Sequence, residues 1–111
     1  MKVNVLGTEY EIISDATASE YPILESHADG FCDFTTKKIV IAEMKPDDYS
    51  MKDLKSYEKK VVRHELVHAF LYESGLDVNS EWARNEEIVD WIALQFPKMN
   101  KAFEEMKVMC D

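Results

Sequence analysis

The hydrophobic pattern of this chain changes once, near residue 50, and that change limits the folds open to it. Before this point, short apolar runs alternate with polar residues, which is typical of strands. After it, apolar residues recur three and four positions apart, which is typical of helices. Strands followed by helices favour an α+β domain with a mixed or antiparallel sheet of about three or four strands. The predicted strands are Lys2–Leu6, Glu9–Ile13, Phe31–Phe34 and Lys38–Ala42.

Capping signals divide the second half of the chain into three predicted helices. The segment SMKD at residues 50–53 resembles a capping box, so the first helix is expected from Met51 to about Ser74, with Gly75 as its stop. A second helix is expected from residue 79 or 80 to about residue 95. Proline is favoured in the first turn of a helix, so Pro97 predicts the start of a third, C-terminal helix.

Length and charge exclude several classes of protein. A chain of 111 residues predicts a single domain over residues 1–111. Acidic residues outnumber basic ones by 22 to 13, and a net charge of −9 argues against nucleic acid as a partner. No apolar run approaches the roughly 20 residues of a membrane-spanning helix, so we expect no membrane partner and no signal peptide. Cys32 and Cys110 are predicted to be reduced thiols, as in a cytoplasmic protein.

Two histidines and a glutamate interrupt the apolar pattern of the first predicted helix. His64 and His68 are four residues apart, so they lie about 40° apart on one helical face and can meet a single ion. Glu65 lies about 100° from His64, beside such an ion. Neutral imidazole is a good ligand for Zn²⁺, but a catalytic zinc site needs a third protein ligand and an open position for water.

The segment NEEIVD, in the second predicted helix, supplies candidates for that third ligand. Glu86 and Asp90 share a helical face because they are four residues apart, whereas Glu87 lies about 100° away. We therefore favour Glu86 over Glu87, and expect Asp90 to accept a hydrogen bond from a ligand imidazole. A bound zinc ion lowers the pKa of its water towards about 7, and Glu65 would accept the proton as a general base.

These segments carry a resemblance to a known family. Residues 64–68 match the H-E-x-x-H signature of zincin metallopeptidases, and NEEIVD resembles the N-E-x-x-x-D segment of thermolysin-like gluzincins. The pattern over about residues 61–97 most resembles small phage or prophage members of the ImmA/IrrE-type metallopeptidases. In that group, a Glu four residues before an Asn or Asp is the third ligand, and Ala follows three residues later. Asp90 and Ala93 keep this spacing, which again selects Glu86.

The resemblance implies a minimal zincin-like fold with one zinc ion, in which an edge strand beside the active-site helix pairs with an extended peptide. We therefore predict a zinc metallopeptidase in the cytoplasm of a bacterial host cell. Its substrate would be a protein or peptide, with phage or host regulatory proteins as one class. The oligomeric state stays open.

Two alternatives use the same residues. A regulatory module of phage origin could keep the metal without catalysis. A structural zinc site would need four protein ligands, with His27 or a cysteine completing the set. We otherwise expect His27 in a surface loop. Tyr72, four residues after His68, is expected to pack against neighbours, with a hydrogen bond to the oxyanion as its alternative role.

Overall fold

A computed structural model describes residues 1–26, 29–45 and 53–110 of the chain. It contains a four-stranded mixed sheet followed by helices, so the predicted α+β class is confirmed. Two short 3₁₀ helices, Pro22–Ser26 and Glu81–Arg84, lie in the connections. The strands and α-helices are β1 (Lys2–Val5), β2 (Thr8–Ala16), β3 (Gly30–Asp33), β4 (Lys38–Ala42), α1 (Leu54–Glu73), the single-turn α2 (Leu76–Asn79) and α3 (Glu86–Glu105).

The strands lie in the order β1-β2-β4-β3, which leaves β3 at one edge of the described sheet. β1 and β2 form an antiparallel hairpin, β2 pairs with β4 in parallel, and β3 pairs with β4 antiparallel. Both residues of the hairpin turn, Leu6 and Gly7, have positive φ angles, as a two-residue turn between twisted strands requires. β2 is longer than predicted because it continues through an irregularity at Asp15, where φ is 55°.

α1 packs across the sheet, and the main core lies between them. Fully buried side chains of β1, β2 and β4 meet Val61 and Ala69 of α1 in one cluster. β3 also approaches α1 closely at Gly30. A Cβ atom there would lie 3.0 Å from the Val40 carbonyl oxygen and 3.1 Å from Val61 Cγ1. Glycine therefore lets β3 lie directly against the middle of the helix.

The first helix ends as predicted, but its described start is later. Asp53 caps its N-terminus, since one carboxylate oxygen accepts a hydrogen bond from the Ser56 amide at 3.1 Å. The predicted start at Met51 and the box that begins at Ser50 lie outside the described residues. At the other end, Gly75 adopts a left-handed conformation with φ of 87°, the conformation expected of a helix stop.

The predicted break between a ligand-bearing helix and a C-terminal helix is wrong. α3 continues through Pro97 to Glu105 as one helix. A proline inside a helix leaves the carbonyl four residues earlier without its usual donor. Here that carbonyl belongs to Ala93, and the Arg63 side chain of α1 donates to it from Nε at 2.6 Å. A tertiary contact thus replaces the missing hydrogen bond.

Both cysteines are free thiols, as predicted. Cys32 is half-buried on β3, where burial raises the pKa of its thiol to about 12, and Cys110 is exposed. Among the helices of the described residues, none combines the length and the apolar character needed to cross a bilayer.

Candidate metal centre

The three predicted ligands meet where α1 passes the first turn of α3. Nε2 of His64 lies 2.9 Å from one carboxylate oxygen of Glu86, and Nε2 of His68 lies 2.8 Å from the other. One ligand atom from each residue falls within 4.8 Å of the other two. The group could therefore hold a metal ion between two imidazoles and a carboxylate.

Local structure fixes the carboxylate at this place. Asn85 caps α3, because its side-chain oxygen accepts a hydrogen bond from the Ile88 amide at 3.0 Å. Glu86 is thus the first helical residue, and the fully buried side chains of Val89 and Ala93 anchor the first half of α3. A carboxylate in the first turn is also stabilised by the helix dipole.

His64 is placed between two carboxylates. Its Nδ1 lies 3.1 Å from Asp90, the predicted partner, while its Nε2 faces Glu86. Asp90 also accepts from the ammonium group of Lys60 at 3.0 Å. A neutral imidazole carries one N–H, so an Nδ1–H directed at Asp90 leaves the Nε2 lone pair facing carboxylate oxygens. A metal ion could be bound by this lone pair together with the Glu86 carboxylate, so the donor set fits a metal ion.

The remaining two motif residues have the protonation tendencies that such a site needs. Burial lowers the pKa of His68, which keeps its imidazole neutral and able to bind a cation. Glu65 is only 7% exposed, and burial raises the pKa of its carboxyl group. A carboxylate with a raised pKa can accept and return a proton near neutral pH, which is the task of a general base.

Two adjoining depressions flank these residues along β3, and Gly30, Glu65 and Glu86 line both. The depression on the His64 side has a volume of about 240 Å³ and is also lined by Asp29, Tyr57 and Lys60. The depression on the His68 side has a volume of about 360 Å³, and its further lining includes Phe31, Phe34, Asp77 and Arg84. An open cleft therefore follows the edge strand past the candidate metal centre.

Of the other candidates, Glu87 and Tyr72 lie within the described residues, and neither belongs to the group of ligand atoms. Glu87 is exposed and is not part of the group of ligand atoms. The ring of Tyr72 stacks on Phe34, with ring centres 4.2 Å apart and planes 4° apart, so it packs as favoured from the sequence. His27 lies outside the described residues, and the structure bears on neither its predicted loop position nor its role as a fourth ligand.

Sequence reasoning missed several residues of the cleft. Lys60 and Tyr57 precede His64 by four and seven residues, so helical spacing alone could have placed them on its face. Arg84 lies two residues before Glu86 and lines the cleft, and its guanidinium donates to the Asp77 carbonyl. Asp29 lines the cleft because it directly precedes β3, which the strand order places at the edge of the sheet. Nothing in the local sequence predicts this position.

No protein-family model, curated protein or solved structure matches the chain in comparisons with known proteins. The fold and the site therefore define only a class: an α+β protein with a candidate metal centre of two histidines and one glutamate, beside an edge strand.

Proposed function

We propose that this protein is a zinc-dependent peptidase whose metal is held by His64, His68 and Glu86. The observation that carries the proposal is the meeting of these three donors beside a buried Glu65, in a cleft along an edge strand. Two imidazoles and one carboxylate form a donor set that suits zinc and leaves a fourth position for water. Within the described residues this group has three members, fewer than the four ligands of a structural zinc site.

Each side chain has a distinct task in peptide hydrolysis. Bound zinc would supply Lewis acidity and a water of lowered pKa. Asp90 holds the Nδ1–H of His64, which directs the Nε2 lone pair towards the metal position. Glu65 accepts a proton from the attacking water and passes it to the leaving amine nitrogen as the C–N bond breaks. Its burial favours the neutral form that makes the second transfer possible.

The position of β3 supports an extended peptide as the substrate. An edge strand presents unpaired main-chain donors and acceptors, so a peptide can add to it as a further strand. The cleft that follows β3 passes Glu65 and Glu86, which would bring a scissile bond to the metal. The resemblance of the two motifs suggests regulatory proteins of a phage or its bacterial host as the substrate class.

Paired glutamate variants test the proposal. We expect Glu65→Gln to retain about one zinc ion per chain while hydrolysis of a fluorescently labelled unfolded protein falls by about 10²-fold or more, because the general base is lost. Glu86→Gln should lose zinc. The matched control, Glu87→Gln, should keep both zinc and activity because Glu87 lies outside the cluster.

The possible results separate the two functions considered. Full hydrolysis by Glu65→Gln would contradict the assigned mechanism. Zinc binding without hydrolysis in the wild-type protein would favour the alternative, a non-catalytic regulatory module. Zinc retained by Glu86→Gln at wild-type affinity would refute the ligand assignment itself.

A further inference from the structure

α3 carries an apolar stripe that extends beyond its contact with α1. Val89, at the start of this pattern, is fully buried. Further along, apolar residues continue at alternating intervals of three and four, the spacing of helices that pair with one another. Phe96 is 49% exposed, Phe103 42% and Met106 74%. We define the apolar stripe as Phe96, Met99, Phe103 and Met106.

A groove between α1 and α3 extends this apolar surface. It has a volume of about 490 Å³, and Phe96 belongs to both the groove and the stripe. Phe70 of α1 lines it and is 43% exposed. Arg63 is the one charged side chain among the described residues of the lining, which otherwise comprises Leu66, Val67, Phe70, Leu71, Ile92, Ala93 and Phe96. Connected apolar surface of this kind marks an interaction site.

We propose that the apolar stripe joins two copies of this chain, with the two α3 helices pairing antiparallel about a two-fold axis near residue 101. The stripe has the same intervals in both directions: three residues from Phe96 to Met99, four to Phe103 and three to Met106. In an antiparallel pair, Met99 therefore faces Phe103 of the partner subunit, and Phe96 faces Met106 of the partner subunit. The stripe is complementary to itself, as a two-fold interface requires.

The charge distribution favours a second copy over other occupants. The charged residues of this part of α3 lie more than about 100° around the helix from the middle of the stripe, so no like charges meet despite the net charge of −9. A helix that binds a membrane surface would instead be rich in lysine and arginine. Within α3, the residues directly beside the stripe are uncharged: Gln95, Asn100 and Ala102. The charged ones are Lys98, Lys101, Glu104 and Glu105. Lys107, which follows Met106, lies beyond the end of the helix and has a φ angle of 58°.

The available area is sufficient for a specific but modest dimer. The exposed parts of the stripe and of the neighbouring groove offer roughly 500 Å² on each copy, so a pair buries about 1,000 Å² in total, near the lower end of specific interfaces. Glu86 and Asp90 lie on a different side of α3 from the stripe, about 140° around the helix, so pairing leaves the candidate metal centre open. The inference is therefore independent of the proposed function.

Sedimentation equilibrium over a range of protein concentrations tests the pairing. We expect reversible dimerisation of the wild-type chain, and dimerisation that is at least about tenfold weaker in Phe103→Glu, because the partner's Met99 would then face a charge. Leu94→Glu is the matched control: Leu94 is 51% exposed on the same helix but lies about 160° from the stripe. This control should dimerise like the wild type.

Charge complementation tests the register of the two helices. It uses two variants, so the test does not rest on Phe103→Glu alone. Met99→Lys and Phe103→Glu should each dimerise at least about tenfold more weakly than the wild type when alone. Their mixture should form heterodimers, because one layer then pairs lysine with glutamate and the other pairs the original Met99 with Phe103 of the partner subunit. Failure of the mixture would overturn the register. The proposal would be overturned if the wild-type chain stayed monomeric at every concentration, or if Leu94→Glu weakened dimerisation as much as Phe103→Glu. The stripe would then be a binding surface for a different protein.

Discussion

Two clusters of polar side chains lie along α1, and they differ in the balance of hydrogen-bond donors and acceptors. At the end of the helix, the carboxylate of Glu73 accepts from Thr8 at 2.8 Å, from Tyr10 at 2.6 Å and from the ammonium group of Lys37 at 2.9 Å. These hydrogen bonds lower the pKa of Glu73 to about 2. The cluster is satisfied by the protein alone, and it attaches the end of α1 to the sheet.

The cluster around His64 has a different balance of hydrogen-bond donors and acceptors. Carboxylate oxygens of Glu86 and Asp90 face both of its ring nitrogens, and Glu86 also faces His68. Lys60 donates to Asp90, and His64 presents one ring nitrogen to each of the two carboxylates. The two clusters thus differ in kind: the carboxylate of Glu73 has its donors within the protein, whereas the cluster around His64 brings together three donor atoms that could share a metal ion.

The largest effect that follows from this difference is stabilisation by zinc. A ligand that binds only the folded state at a thousand times its Kd stabilises it by about 4 kcal/mol. In a chain of this size that corresponds to a rise in Tm of more than about 10 °C. Calorimetry should show this rise in the wild type and in Glu73→Gln, but not in Glu86→Gln. An equal rise in Glu86→Gln would remove the distinction between the clusters.

A smaller effect is expected from Gly30→Ala, which alters the contact between β3 and α1 beside the metal centre. The new methyl group would meet the Val40 carbonyl and Val61 at about 3 Å, so β3 must move away from α1. Overpacking of this kind costs about 1–3 kcal/mol, measurable by urea unfolding. Gly30 also lines both parts of the cleft, so zinc affinity should fall as well. Unchanged stability and zinc affinity would show that the close approach is not needed.

The candidate ligands could be predicted from the sequence because their spacing follows from helix geometry. His64 and His68 share a face in any α-helix, and so do Glu86 and Asp90. What the sequence could not show was that α1 and α3 would pack so that both pairs meet. The same limit explains the error at Pro97, where local rules predict a new helix. Arg63, more than 30 residues earlier, supplies the hydrogen bond that lets α3 continue.

The cleft depends even more on distant parts of the chain. β3 lies beside the centre only because β4 inserts between β2 and β3, and the short predicted runs did not specify that order. The Glu73 cluster is similar, since Thr8 and Lys37 reach Glu73 from two different turns of the sheet. Periodicity therefore predicts which residues share a face, and tertiary packing decides which faces meet.

The smallest predicted effect concerns the acid stability of the satisfied cluster. Because the folded-state pKa of Glu73 is about 2 and its ordinary value is 4.5, its contribution to stability is complete above about pH 4.5 and is lost as the pH falls towards 2. Glu73→Gln should therefore be less stable than the wild type at pH 7, and the difference between their urea midpoints should shrink between pH 4.5 and 2.

Metal-free conditions keep this measurement separate from the other cluster. The control is Glu87→Gln, which removes an exposed carboxylate on α3 and should change the midpoint at pH 7 by less than Glu73→Gln does. A difference between wild type and Glu73→Gln that stays constant down to pH 2 would mean that Glu73 is not held ionised by Tyr10, Lys37 and Thr8.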